Sequence, residues 1–152
     1  MPLEELPRVD EHARVVGTPP EVVWDAVLHT MRSAFASAGS RRVARLLGCD
    51  PAGLTGWDRP TEGSTVPGFR IVTAQPPSLL VVAGRHRFSR YGIVFRLEPG
   101  DGGTRLRAET RAAFPGPHGA LYRLAVVGSG GHVVVTRRLL AAVARTAERS
   151  RT

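Results

Sequence analysis

If this chain catalyses a reaction, its available proton carriers are His86, His132, Tyr91 and Tyr122. Imidazole titrates near neutrality, and a phenol can donate to a carbonyl. Lys and Asn are absent, so the cation available to hold an oxyanion is arginine. The spacings that more specialised chemistry needs are missing. No Cys/His pair has zinc-ligand spacing, and there is no His-Glu-x-x-His or Gly-x-Ser-x-Gly. Gly128-Ser129-Gly130-Gly131 has no strand leading into it and no phosphate-binding Lys, so it does not read as a phosphate loop. Nothing calls for a metal or cofactor.

The elements that must position these residues are strands. From Phe69 onward the hydrophobic period is two, and the pattern predicts strands over Phe69–Thr73, Leu79–Phe88, Tyr91–Glu98 and Thr104–Phe114. Gln75-Pro76-Pro77-Ser78 and Pro99-Gly100-Asp101-Gly102-Gly103 are turns short enough to make the strands antiparallel. In the last strand Arg105, Arg107, Glu109 and Arg111 share one face. That face must be wet, because burying four charges costs too much. Leu106, Ala108, Thr110, Ala112 and Phe114 then face inward. The same reasoning turns Tyr91, Ile93, Phe95 and Leu97 inward. Placing Arg85 and Arg87 outward turns Leu80, Val82, Gly84, His86 and Phe88 inward. His86 among apolar neighbours is either a core histidine with one backbone bond or a polar group inside a ligand cavity. Few acids fall in these inward sets, which argues against a carboxylate acid/base pair.

Helices flank the strands. Val9–Val16 reads as a first strand. Thr18-Pro19-Pro20-Glu21 reads as a helix start, with Thr18 and Glu21 closing a capping box. Trp24, Val27, Leu28, Met31 and Phe35 form its buried face. Gly39-Ser40 is expected to break it. A short helix over Arg41–Leu47 should then turn Val43, Leu46 and Leu47 inward and end at Gly48. Pro51–Pro67 reads as a long loop in which Trp57 either covers a cavity mouth or anchors the loop to the core. A long helix follows Pro115-Gly116-Pro117, from His118 to about Arg149. Its expected stripe is Leu121, Ala125, Gly128, His132, Val135, Leu139 and Val143. Three glycines at its middle imply a closely approaching sheet, room for a ligand, or a break in the helix.

With 152 residues and 42% hydrophobic content the chain fits one domain with its own core, spanning residues 1–152. Its single Cys49 rules out an internal disulfide and suggests the cytoplasm, as does a polar, signal-poor start at Met1–Arg8. No stretch approaches the roughly 20 apolar residues of a membrane helix. The formal charge is +8, entirely from arginine. Up to Pro76 there are 8 Arg against 9 acidic residues, and from Pro77 there are 13 against 4. Basic residues that alternate with apolar ones describe a solvated sheet face, so nucleic acid is disfavoured as a partner.

The order of strand, Trp-containing helix, short helix, sheet meander and C-terminal helix resembles the helix-grip superfamily. This is the SRPBCC group of START-like lipid-transfer domains, birch-pollen-allergen-fold proteins and polyketide cyclases. Val15-Val16-Gly17-Thr18-Pro19-Pro20-Glu21-Val22-Val23-Trp24 is similar to the group's start, and Gly103–Thr110 to its turn into a long strand. Arg85–Tyr91 and Gly131-His132 resemble an uncharacterised bacterial subgroup. The resemblance implies an α+β fold in which a curved antiparallel sheet wraps a long C-terminal helix. It also implies an internal cavity for a hydrophobic small molecule such as a lipid or polyketide. It carries no shared catalytic motif. The expected lining is His86, Phe88, Tyr91, Ile93, Phe95, Leu106, Ala108 and Thr110 from the sheet, with Tyr122, Ala125, Gly128 and His132 from the helix. The readings that follow are a binding or carrier protein, a polyketide cyclase or dehydratase using cavity His and Tyr, and a basic partner- or RNA-binding module.

Overall fold

A computed structural model describes residues 3–149. After a single 3-10 turn at Leu3–Glu5 come β1 (Arg8–Val16), α1 (Pro20–Phe35), α2 (Ala38–Leu47) and β2 (Thr65–Val66). Strands β3 (Phe69–Gln75), β4 (Leu79–His86), β5 (Ser89–Gly100) and β6 (Gly103–Ala113) follow. The chain closes with α3 (Gly116–Arg123) and α4 (Gly131–Arg149). One six-stranded antiparallel sheet has the order β1-β6-β5-β4-β3-β2, so the first and last long strands are neighbours. Irregularities in register at Arg8/Asp10 and Ile71/Thr73 let the sheet bend. It curves around α4, with α1 packed beside that helix.

The alternation read from the sequence holds. Leu106, Ala108 and Phe95 face inward with no exposure, as do Leu80 and Val82. The opposite face carries ion pairs across strands. Arg107 reaches Glu11 and Glu98, and Glu109 sits between Arg96 and Arg111. Leu139, Leu140, Val143, Ala144 and Ala147 of α4 meet Phe95, Leu97 and Leu106 in one core with Val23, Val27 and Met31 of α1. Each large side chain buried here contributes roughly 1.5–3 kcal/mol. At the end of the β1–β6 pair a Cβ on Gly103 would collide with the Val16 carbonyl oxygen, so this corner closes only around glycine.

The helix boundaries depart from the sequence reading in four places. First, α1 begins at Pro20 with Pro19 as its N-cap, and no side chain caps it. A residue before proline is held extended, so Pro20 keeps Pro19 at ψ 158° and moves the start past the proposed box. The Thr18 hydroxyl is buried without a partner among the described residues. Second, the break after α1 falls at Ala36-Ser37, and Gly39-Ser40 lies inside α2. Ser37 caps α2 by accepting from the Ser40 amide at 3.1 Å, a stronger start signal than the glycine was a stop. Third, Val43 and Leu46 of α2 are exposed, and Ala44 is the buried residue.

Fourth, the C-terminal helix is broken. A π-helical turn at Leu124–Gly128 follows α3, and Gly130 takes φ 79°, a left-handed conformation that ends the first segment. The Ser129 hydroxyl bonds back to the Ala125 carbonyl. Of the stripe, His132 stays half-buried and Leu139 and Val143 stay buried. Leu121 and Val135 are exposed, as are Ala125 and Gly128. In the long loop Trp57 is an anchor: it is buried in the core, and its Nε1 donates to the Leu28 carbonyl at 3.0 Å.

Candidate ligand cavity

The inner face of the sheet is filled at one end and hollow at the other. Around Phe95, Leu97, Leu106 and Ala108 it is packed solid against the C-terminal half of α4. Toward the opposite ends of β4, β5 and β6 it lines a cavity of about 600 Å³. The α2 helix, the π-helical turn and the first turns of α4 form the other walls. The lining is mainly apolar, including Val9, Phe69, Ile93, Ala112, Phe114 and Leu139. The volume falls within the range of sites for drug-sized ligands.

Six of the twelve expected lining residues stand on this wall: His86, Tyr91, Ile93, Thr110, Tyr122 and His132. The other six do not. Phe95, Leu106 and Ala108 are on the expected face but lie farther along it, in the filled half. Phe88 falls in the two-residue turn between β4 and β5 and stacks behind Tyr122, ring centroids 5.5 Å apart. Ala125 and Gly128 are exposed because the break before α4 rotates them off the inner side.

An aromatic chain crosses the wall. Phe35 meets Phe69 at 4.9 Å, Phe69 meets Tyr91 at 5.3 Å, Tyr91 meets His86 at 5.4 Å and His86 meets Tyr122 at 4.8 Å. Tilted and edge contacts of this kind add to area burial and hold the rings in place. His86 combines the two roles left open in the sequence. Its Nδ1 accepts from the Phe88 amide at 3.1 Å, and its ring faces the cavity. With Nδ1 accepting, the proton of the neutral ring is on Nε2. Burial lowers its pKa from the ordinary histidine value. Burial likewise pushes the Tyr91 phenol far up, reinforced by the neighbouring Cys49, while its hydroxyl donates to the Gly68 carbonyl at 2.8 Å. Tyr122 is raised by burial and by Cys49. The Cys49 thiol is itself raised by burial, with the Tyr91 hydroxyl acting in the opposite direction. Near neutral pH these groups present an uncharged lining.

The second polar feature was missed in the sequence. Asp10 on β1 faces inward, paired with Thr110 of β6. One carboxylate oxygen accepts from His132 Nε2 at 3.1 Å and the other from His12 Nε2 at 3.0 Å. The parity of β1 could have revealed it, since Asp10, His12 and Val16 alternate; the polar residues in that set hid the inward face. Beside them, the Thr110 hydroxyl is buried with no hydrogen-bond partner among the described residues. Among the described residues, no cluster of His, Cys, Asp and Glu is arranged to hold a metal ion.

No protein-family model matches the chain, and no curated protein matches it. Solved structures do. Protein MLL2253 of Mesorhizobium loti is 18% identical with a TM-score of 0.54, over 92% of this chain and 96% of that one. CalU16 of Micromonospora echinospora is 16% identical with a TM-score of 0.51, over 91% and 83%. Ara h 8.0201 is 10% identical with a TM-score of 0.53, over 92% and 97%. The chain has the helix-grip fold.

Proposed function

We propose that this protein binds an uncharged, mainly apolar small molecule between the sheet and the N-terminal half of α4, as a carrier or receptor. The observation that supports this best is the unequal filling of one continuous inner face. A chain that packs Phe95 and Leu106 without exposure leaves about 600 Å³ open a few residues along the same strands. Open apolar volume sacrifices packing energy, and a ligand restores it. Burial favours the neutral forms of His86, Tyr91, Tyr122 and Cys49 on the wall, which suits an uncharged guest. Native mass spectrometry of the protein purified from its own host tests the reading. The expected result is a retained small molecule, or uptake of an added apolar probe with one-to-one stoichiometry. A chain that retains nothing and takes up no apolar probe refutes it.

The contact between Asp10 and His132 favours a second reading, an enzyme of the cyclase or dehydratase kind. A carboxylate at 3.1 Å orients the imidazole. Turnover of a polyketide-like substrate that is lost in His132→Gln supports it, and uptake without turnover removes it. The basic-module reading has less behind it on the sheet, where Arg96, Arg107 and Arg111 are spent on carboxylates of the same face.

A further inference from the structure

We infer that the rim of the cavity is a docking face for an anionic lipid bilayer. Exposed aliphatic side chains are concentrated there. Val43 and Leu46 on α2, Leu121 and Leu124 at the end of α3, and Val134 and Val135 at the start of α4 are 49–69% exposed. Val43 and Val135 also line the cavity, so this apolar surface is continuous with its opening. Single exposed aliphatic residues need no explanation, but a contiguous group around an opening marks a contact surface.

Charge identifies the partner. The α2 helix carries Arg41, Arg42 and Arg45 and no acid. From Gly116 to Ala147 there are four arginines and no acid. Arg42 stands one helical turn from Leu46, Arg123 is next to Leu124, and Arg138 is one turn from Val134. Among the described residues none of these three arginines has an ion-pair partner, in contrast to the paired arginines of the outer sheet face. A second copy of this chain would bring like charge against like. A nucleic acid would find exposed aliphatic carbons where stacking rings are needed. Arginines fringing aliphatic side chains match a membrane surface, where the aliphatic groups enter the acyl boundary and the guanidinium groups meet lipid phosphates. Docking in this orientation points the cavity mouth at the bilayer.

The test is co-sedimentation of the full chain with vesicles of phosphatidylcholine alone and of phosphatidylcholine mixed with phosphatidylglycerol. Binding is expected only to the anionic vesicles, and it should weaken as salt is raised. Each arginine near such a surface contributes roughly a fivefold factor in affinity. Arg42→Glu with Arg45→Glu should therefore weaken binding by more than about 25-fold, and Leu124→Ser should weaken it as well. These side chains are exposed and do not line the cavity, so uptake of an apolar probe by the variants should be unchanged. That separates failure of the docking face from failure of the cavity. Equal binding to both vesicle types, no binding to either, or unchanged binding by the Arg42/Arg45 variant overturns the proposal. So does retention by a short RNA but not by vesicles.

Discussion

Replacing Thr110 with valine should make the unliganded protein more stable. Thr110 and Thr104 lie on the same strand and the same face of β6, and both are buried. Their hydroxyls differ in one respect. Thr104 Oγ1 donates to the Thr18 carbonyl at 2.7 Å, whereas Thr110 Oγ1 has no partner among the described residues. Valine keeps the branched shape and removes the hydroxyl. At position 110 that relieves a desolvation cost of about 1–3 kcal/mol. At position 104 it breaks a buried bond and strands the Thr18 carbonyl, a loss of similar size. For a chain of 152 residues the expected changes in Tm are about 2–12 °C, upward for Thr110→Val and downward for Thr104→Val. Urea denaturation should show shifted midpoints with unchanged slopes. Most substitutions destabilise, so a gain at position 110 is diagnostic. A ligand whose polar atom meets this hydroxyl should narrow the gap on saturation. If Thr110→Val loses as much stability as Thr104→Val, the reasoning about this hydroxyl is refuted.

Further outcomes follow from the same geometry. Burial depresses the His86 pKa, so between its folded pKa and the ordinary value of about 6.5 the unfolded chain binds more protons. Stability should therefore fall as the pH drops through about 6.5, level off below the folded pKa, and lose this slope in His86→Gln, as read by urea midpoints across that range. Tyr91 has the opposite sign: its phenol is raised, so stability should fall as the pH climbs past about 10, less so in Tyr91→Phe. Trp57→Phe removes the bond to the Leu28 carbonyl and should cost about 1–3 kcal/mol in denaturant titrations, without changing probe affinity. Gly103→Ala forces a methyl group onto the Val16 carbonyl and should lower stability by about 1–3 kcal/mol or more, read by thermal melting.

The strands and their inward faces were legible because a charge burial penalty fixes parity on each. Arg105, Arg107, Glu109 and Arg111 decided the last long strand, Arg96 and Glu98 the one before it, and Arg85 and Arg87 the one before that. Position along a face was not legible. Phe95 and Ile93 alternate identically, yet one is in solid core and the other on the cavity wall, because helix contacts in three dimensions decide how far α4 fills the groove. The helix breaks were ambiguous for a different reason. Two prolines in succession displaced the start of α1, and a serine cap outweighed Gly39-Ser40. The glycines of the C-terminal segment allowed a break and a close approach equally well. Asp10 went unnoticed because an inward polar residue becomes readable only once its partner, 122 positions later in sequence, is seen beside it.

Titration of an apolar fluorescent probe into the wild type and Ile93→Trp asks whether a guest resides in the hollow end of the inner face. Ile93 projects into the open half from β5, so an indole there occupies the guest's volume while the filled half of the core is untouched. Saturable one-site binding to the wild type is expected, with its loss in Ile93→Trp and a thermal melt of the variant no lower than that of the parent. Equal probe binding by both proteins would contradict it.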